Sequence, residues 1–300
     1  MRILILPTFL LFFVQSILAQ GAGQTGLAFL KLGIGSRALA MGEAYSADAS
    51  DPSAVYYNPA SLSLSKSTQI MLMHREWIQD TKTEFLGAQS AVDRFAYGIG
   101  INSTSVDNIE VREVPGPPEA TFSARNVAMG ISAAYEIYPS LSIGVTGNFL
   151  YEKMLVNEAS GYGLNFGALY QMPSNVRFAM SVSNLGSMSE LDQASSKLPA
   201  TLRLGASYHT PLEAIEGDAT TSVDVVSVSE DNTPHIHFGG ELSYKETFAI
   251  RAGYQTGYET KNFSAGFGVR YGMFQLDYAF VPVQLDLGST HTFSLGINFR

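Results

Sequence analysis

The sequence predicts an all-β protein: a transmembrane antiparallel β-barrel of about fourteen strands, preceded by an N-terminal plug segment. Three observations carry this expectation. From about residue 68 onward, large apolar residues alternate with small or polar ones at period two, the pattern of strands with one oily face. The alternating runs are about 9–12 residues long, the span of a tilted membrane strand, whereas strands of globular proteins average about 5–6. Long and short connections alternate along the chain, as in outer-membrane barrels with long outer loops and tight periplasmic turns.

Composition closes the other routes. Charged residues make up 15% of the 300, against about 25% in a soluble domain. Beyond the N-terminus no stretch reaches the ~20 consecutive apolar residues of a spanning helix, which excludes a helical bundle. Eighteen Phe and 15 Tyr exclude a disordered chain. A net charge of −9, from 18 Lys+Arg and 27 Asp+Glu, without a basic cluster, excludes nucleic acid as a partner. The absence of cysteine removes disulfides, thiol nucleophiles and a lipoprotein anchor.

Taken in order, residues 1–19 read as a secretory signal peptide: Arg2 is the basic start, residues 3–18 are the apolar core, and Ala19 or Ala22 precedes the cut. Residues 20–67 do not alternate. Residues 21–26 are glycine-rich, and residues 36–44 suit a short helix capped by Ser36. Residues 48–53 are turn-rich, and Asn58-Pro59 sets a turn because the ring locks φ. This lead is either a periplasmic tail or a plug. As a plug, its Arg37, Glu43, Asp48 and Asp51 would meet polar lumen side chains.

Residues 68–300 form the barrel. The clearest sets are Phe95, Tyr97, Ile99 and Ile101, then Val127 to Ile137, and Leu141 to Tyr151. Runs near 162–170, 176–182, 202–208, 236–244, 248–254, 263–271, 274–280 and 293–299 follow, with weaker candidates near 68–77, 83–91 and 220–228. Long connections are expected at 77–83, 103–122, 153–160, 185–199, 229–233, 257–261 and 282–289, and tight turns near 91–93, 138–140, 171–175, 245–246 and 272. The stretch 210–219 departs from that rule. Pro115-Gly-Pro-Pro118 stiffens the longest loop, 103–122. Tyrosines recur at strand ends, where interfacial girdles sit.

Chemistry-bearing motifs are sparse. No Gly-x-Ser-x-Gly elbow and no phosphate loop occur, so no catalytic residue, no enzyme activity and no cofactor are expected. His235, His237 and Glu241 share one strand face, which would suit a metal or simply line the lumen; no metal site is assigned. Parity puts Arg203, Arg251, Arg270 and Asp277 in the lumen, since an Arg facing lipid at mid-membrane costs about 2–4 kcal/mol.

Two blocks resemble a known family. Phe29-Leu-Lys-Leu-Gly-Ile-Gly-Ser-Arg-Ala-Leu-Ala-Met-Gly-Glu-Ala44 and Asp51-Pro-Ser-Ala-Val-Tyr-Tyr-Asn-Pro-Ala-Ser-Leu62 are similar to the N-terminal lead of the PorV/PorQ outer-membrane proteins, relatives of FadL fatty-acid transporters. Further echoes are Ser183-Asn-Leu-Gly186, Leu198-Pro-Ala-Thr-Leu-Arg-Leu-Gly205, Arg251-Ala-Gly-Tyr254 and Leu276-Asp-Tyr-Ala-Phe280. The motif residues are Ser36, Arg37, Ala38, Met41, Gly42, Asn58, Pro59 and Ala60. The resemblance implies a FadL-like fourteen-stranded barrel with its N-terminus in the lumen, in the outer membrane of a Bacteroidota-like Gram-negative bacterium. It implies one of two roles: a component of type IX secretion and surface attachment with protein partners, or a lateral-opening transporter of hydrophobic small molecules. Outer-membrane lipid is the shared partner.

Overall fold

Each alternating run becomes a strand with its large apolar side chains outward and its small and polar ones inward. The computed structural model describes residues 27–77, 81–112, 116–191, 194–229, 231, 233–284 and 288–299. The expected signal peptide, the glycine-rich stretch 21–26 and Pro115 lie outside the described residues.

The strands are β1 (Thr68–Glu76), β2 (Thr81–Val92), β3 (Phe95–Val111), β4 (Ala120–Tyr138) and β5 (Leu141–Met154). They continue as β6 (Asn157–Gln171), β7 (Val176–Leu191), a four-residue β8 (Ala194–Lys197), β9 (Thr201–Leu212) and β10 (Gly217–Val228). The last five are β11 (His235–Tyr244), β12 (Phe248–Gln255), β13 (Phe263–Tyr271), β14 (Phe274–Pro282) and β15 (Ser289–Phe299). All neighbours are antiparallel, β6 pairs with β7, and β1 pairs with β15 from Thr68↔Phe299 to Glu76↔His291. The sheet is thus a closed fourteen-stranded barrel, with β8 as an extra hairpin arm on β7.

The two faces differ as lipid and lumen require. Ile131 is 74% exposed and Tyr162 73%, while Ser132 and Thr146 on the inner face are buried and hydrogen-bond each other at 2.7 Å. Placing that apolar outer face in water would expose a patch far beyond the few hundred Å² a soluble monomer tolerates. No helix among the described residues is long and apolar enough to cross a membrane.

Four connections differ from expectation. The 103–122 loop is mostly wall, since β3 and β4 pair on to Val111↔Ala120 across a bulge after Val106. The 153–160 loop is a two-residue turn closed by Met154↔Asn157. Much of 185–199 is β7 and β8, and 210–219 shrinks to residues 213–216, which restores the short-turn rule at that end. Consequently β3 to β7 run 14–19 residues rather than 9–12. The cause is a change of solvent. Above the membrane the outward residues turn polar (Ser103, Ser105, Asp107, Arg125, Lys153), so the apolar alternation stops while the ladder hydrogen bonds continue. The tall wall rises at the end carrying the long connections, the extracellular end of such a barrel.

Residues 27–67 fill the interior. They form a 3-10 turn (Ala28–Lys31), α1 (Ser36–Ala40), α2 (Ala54–Tyr57) and a second 3-10 turn (Pro59–Leu64). The helix expected over 36–44 stops at Ala40 because Gly42 adopts φ +62°. Gly35, not Ser36, is its N-cap; the Ser36 hydroxyl and N–H instead meet the Ser294 hydroxyl on β15 at 2.8 and 2.9 Å. Ala38, Met41, Tyr45, Val55, Tyr57 and Leu62 pack with Ala96 and Ala134 of the wall as a lumenal core.

Candidate functional site

The plugged lumen is the candidate site, and it has three levels. At the periplasmic level Arg37 of α1 reaches β11. Its Nε and Nη2 donate to the two Glu241 carboxylate oxygens at 2.9 and 2.8 Å, and Nη2 also reaches Asp48 at 2.8 Å. Its Nη1 donates to the Tyr45 hydroxyl and to Ser50. Glu241 in turn accepts from Arg251, which also donates to Asp277 at 2.6 Å. Asp48 is shared with Arg177 and His209 at 2.6 and 2.9 Å. Opposite charges alternate from plug to wall, so each buried charge faces a partner, the condition for keeping ions in a low-dielectric interior.

In the middle level the Asn58-Pro59-Ala60 turn seats against β5 and β6. The Asn58 side chain is fully buried; its amide donates to Ser46 O and Ala168 O, and its carbonyl accepts from Ala60 N–H. A Cβ at Gly167 would lie 1.9 Å from Asn58 Oδ1, and one at Gly144 2.4 Å from the Pro59 carbonyl carbon. The motif thus fits only a wall of small residues.

At the extracellular level Glu43 accepts from Lys261 at 2.9 Å and lies 3.8 Å from Arg203. Arg75 of β1 donates to Gly33 O and Thr83. Burial raises the Glu43 carboxyl, but Lys261, His237 and Arg203 more than offset this and hold it at about 2. That lies below the ordinary value of about 4.3, so Glu43 contributes plug stability above that pH and loses it as pH falls toward 2. Protection factors of the plug amides, taken against the intrinsic exchange rate at each pH, should therefore fall on acidification from pH 5 to 2, and Glu43→Gln should remove part of that dependence. A flat profile in the unaltered protein would refute the assignment.

A cavity of about 500 Å³ opens above this level, bordered by Phe29, Leu30, Tyr56, Trp77, Arg203 and Tyr258. A smaller one, about 140 Å³, adjoins it through Leu32, Glu43, Trp77 and Lys261 and reaches the wall at Phe263, Ser264, Val281 and Val283. There the β13–β14 ladder ends at Ala265↔Phe280, although β13 starts at Phe263 and β14 runs to Pro282. Val283 N–H donates to Gly288 O on the β15 side. By antiparallel alternation the Pro282 nitrogen therefore faces β13, and it has no hydrogen to give. The seam stays unzipped until Gln284 N–H donates to Thr260 O above it.

The residues singled out in the sequence are distributed as follows. Ser36, Arg37, Met41 and Gly42 contact strands between β11 and β15, Ala38 packs in the lumenal core, and Asn58, Pro59 and Ala60 contact β5 and β6. Arg203, Arg251 and Asp277 are buried in the lumen, while Arg270 lies at the open periplasmic rim and donates to Gln275. His235, His237 and Glu241 do not converge. His235 meets Asp231 and Thr256 O, His237 meets the Tyr258 hydroxyl, and Glu241 is held by the two arginines. Sequence reading missed Arg75 and Lys261. Arg75 shares the inward parity of Met71 and Met73 and was findable; Lys261 sits in a connection, where parity says nothing.

Comparisons with known proteins agree with this geometry. The family described as type IX secretion system membrane protein PorP/SprF matches residues 121–298, and the uncharacterised family UPF0164 matches residues 15–165. No curated protein matches the sequence. Among solved structures, a monoaromatic hydrocarbon channel, CymD, superposes with TM-score 0.62 at 13% identity, covering 89% of this chain and 98% of that one. The toluene transporter TodX of P. putida gives 0.60 at 12%, covering 89% and 99%. A FadL homologue of Pseudomonas aeruginosa gives 0.52 at 10%, covering 88% and 97%. At these identities the likeness shows the fold.

Proposed function

The chain belongs to the PorP/SprF family of type IX secretion system membrane proteins over residues 121–298 and to the uncharacterised UPF0164 family over residues 15–165, and from that premise we propose that it is a non-enzymatic outer-membrane component of type IX protein secretion and surface attachment. Its N-terminal blocks make it PorV/PorQ-like within a Bacteroidota-like cell envelope. The observation that carries the reading is the plug lock. An interior tied across by Arg37–Glu241, Arg251–Asp277 and Asp48–Arg177 is built to stay shut, which suits a scaffold that offers its outer wall to protein partners. Deletion of the gene in its host, followed by proteomics of medium and cell surface, tests it. Selective loss of proteins sharing a C-terminal signal domain is expected; an unchanged secretome in a strain without a paralogue refutes it.

A second reading is favoured by the β13–β14 seam. Adjoining cavities that lead from the outer mouth to an unzipped wall, the far one bordered by Phe263, Val281 and Val283, are what a carrier of hydrophobic small molecules needs, and CymD and TodX, which share the fold, are named for monoaromatic hydrocarbons and toluene.

A further inference from the structure

The mouth cavity combines two chemistries that the secretion reading does not use. One is a set of rings: Phe29, Tyr56, Trp77 and Tyr258 border it. The other is an excess of buried positive charge. Among the described residues, Arg203 and Lys261 line it and Arg75 lines the adjoining space, with the Glu43 carboxylate between them. Lys31 lies on the same border, and Asp231 at the rim is paired with His235. Asp224, the next acid below, has one carboxylate oxygen accepting from the plug N–H groups of Tyr45 and Ser46 and does not line the cavity.

Two of these cations, Arg203 and Arg75, each keep one buried donor atom that no protein group accepts from. Arg203 is 5% exposed, its ion pair to Glu43 is long at 3.8 Å, and its Nη1 has no hydrogen-bond partner. Arg75 is 4% exposed and its Nε is likewise without one. A buried guanidinium with an idle donor is costly unless something accepts from it, and a guanidinium's fork suits a planar carboxylate.

We propose that the mouth cavity binds an aryl carboxylate, its acid group on Arg203 and Lys261 and its ring among Phe29, Trp77 and Tyr258. The aromatic border selects a ring over a flexible alkyl chain, because flat side chains stack on flat ligands. The cations select an acid over a bare hydrocarbon. An acid arriving at Lys261 competes with Glu43, so occupancy loosens the plug's uppermost tie. This goes beyond the secretion reading and does not depend on transport, since binding is measured directly.

The chain has a single tryptophan, Trp77, and it borders both cavities, so its fluorescence reports on the site. The full-length protein in an uncharged detergent is titrated at pH 7 with 3-phenylpropionate, ethylbenzene and octanoate. A saturable change with 3-phenylpropionate is expected, with both others at least about tenfold weaker, and Arg203→Gln weakening the acid about tenfold. Equal binding of ethylbenzene would show that charge is not read, and equal binding of octanoate that the ring is not; either overturns the proposal, as does the absence of saturation. A heat-modifiable gel shift confirms that Arg203→Gln is folded. Lys261→Met, in a connection rather than a strand, gives the same readout if it is not. A normal secretome defect on gene deletion together with no binding would sink this inference alone.

Discussion

Replacing Arg37 with alanine is expected to unseat the plug while leaving the barrel closed. The substitution strips Glu241 of a two-pronged donor and Asp48 of one partner, both inside the lumen. Removing one member of a buried ion pair costs about 3–5 kcal/mol, because the remaining charge stays desolvated; Arg37 keeps some water contact, its side chain being 16% exposed, so the lower end applies. Amides of residues 36–48 should exchange on the order of a hundredfold faster, from about 3 kcal/mol of lost protection. The barrel ladder should stay protected, since its hydrogen bonds close without the plug. Planar-bilayer recordings should show conductance steps absent in the unaltered protein. Adding Glu241→Gln to Arg37→Ala should recover part of the protection, because it leaves Arg251 and Asp277 as a balanced pair in place of two carboxylates on one arginine. Unchanged exchange in the single variant would mean that the lock is ornamental and would weaken the scaffold reading with it.

The second large effect is expected from one added methyl group. A Cβ at Gly253 on β12 would stand 2.0 Å from the Gly42 nitrogen and 2.4 Å from the Met41 carbonyl carbon. Both are backbone atoms, so no side chain can rotate aside. Gly42 cannot simply slide: its N–H donates to the Ser264 hydroxyl, its carbonyl accepts from Gln255, and its φ of +62° is a glycine conformation. Overpacking of this kind costs about 1–3 kcal/mol or more. Gly253→Ala should raise protease sensitivity around residue 42 while the heat-modifiable shift of the barrel persists. Gly240→Ala, on the neighbouring strand with open space around its Cβ position, is the matched control and should do nothing. Equal behaviour of the two variants would show that the plug does not press on β12.

These effects trace how far the sequence could be read. Period-two alternation located all fourteen barrel strands, and inward parity placed Arg203, Arg251 and Asp277 in the lumen. Parity failed above the membrane. Ser103, Ser105 and Asp107 face water, so outer and inner faces are both polar there and the ladder to Val111 left no trace in hydropathy. The unzipped β13–β14 seam was half legible. Pro282 is visible in the chain, but which neighbour it faces depends on the hydrogen bond of Val283 to Gly288.

Whatever repeats at short range was determined by the sequence alone: a barrel, its lipid face, its charge-poor surface and the turn made by Asn58-Pro59. Lipid outside and polar groups inside impose a two-residue period, and that period is written along the chain. The pairings that make the interior a site were decided only by the tertiary structure. Arg37 and Glu241 are 204 residues apart, and Glu43 and Lys261 218. Each acid could in principle have met any of several lumenal arginines. Barrel closure and the fit of the plug against Gly167, Gly239 and Gly253 select the partner, because side chains pair only where backbones can approach.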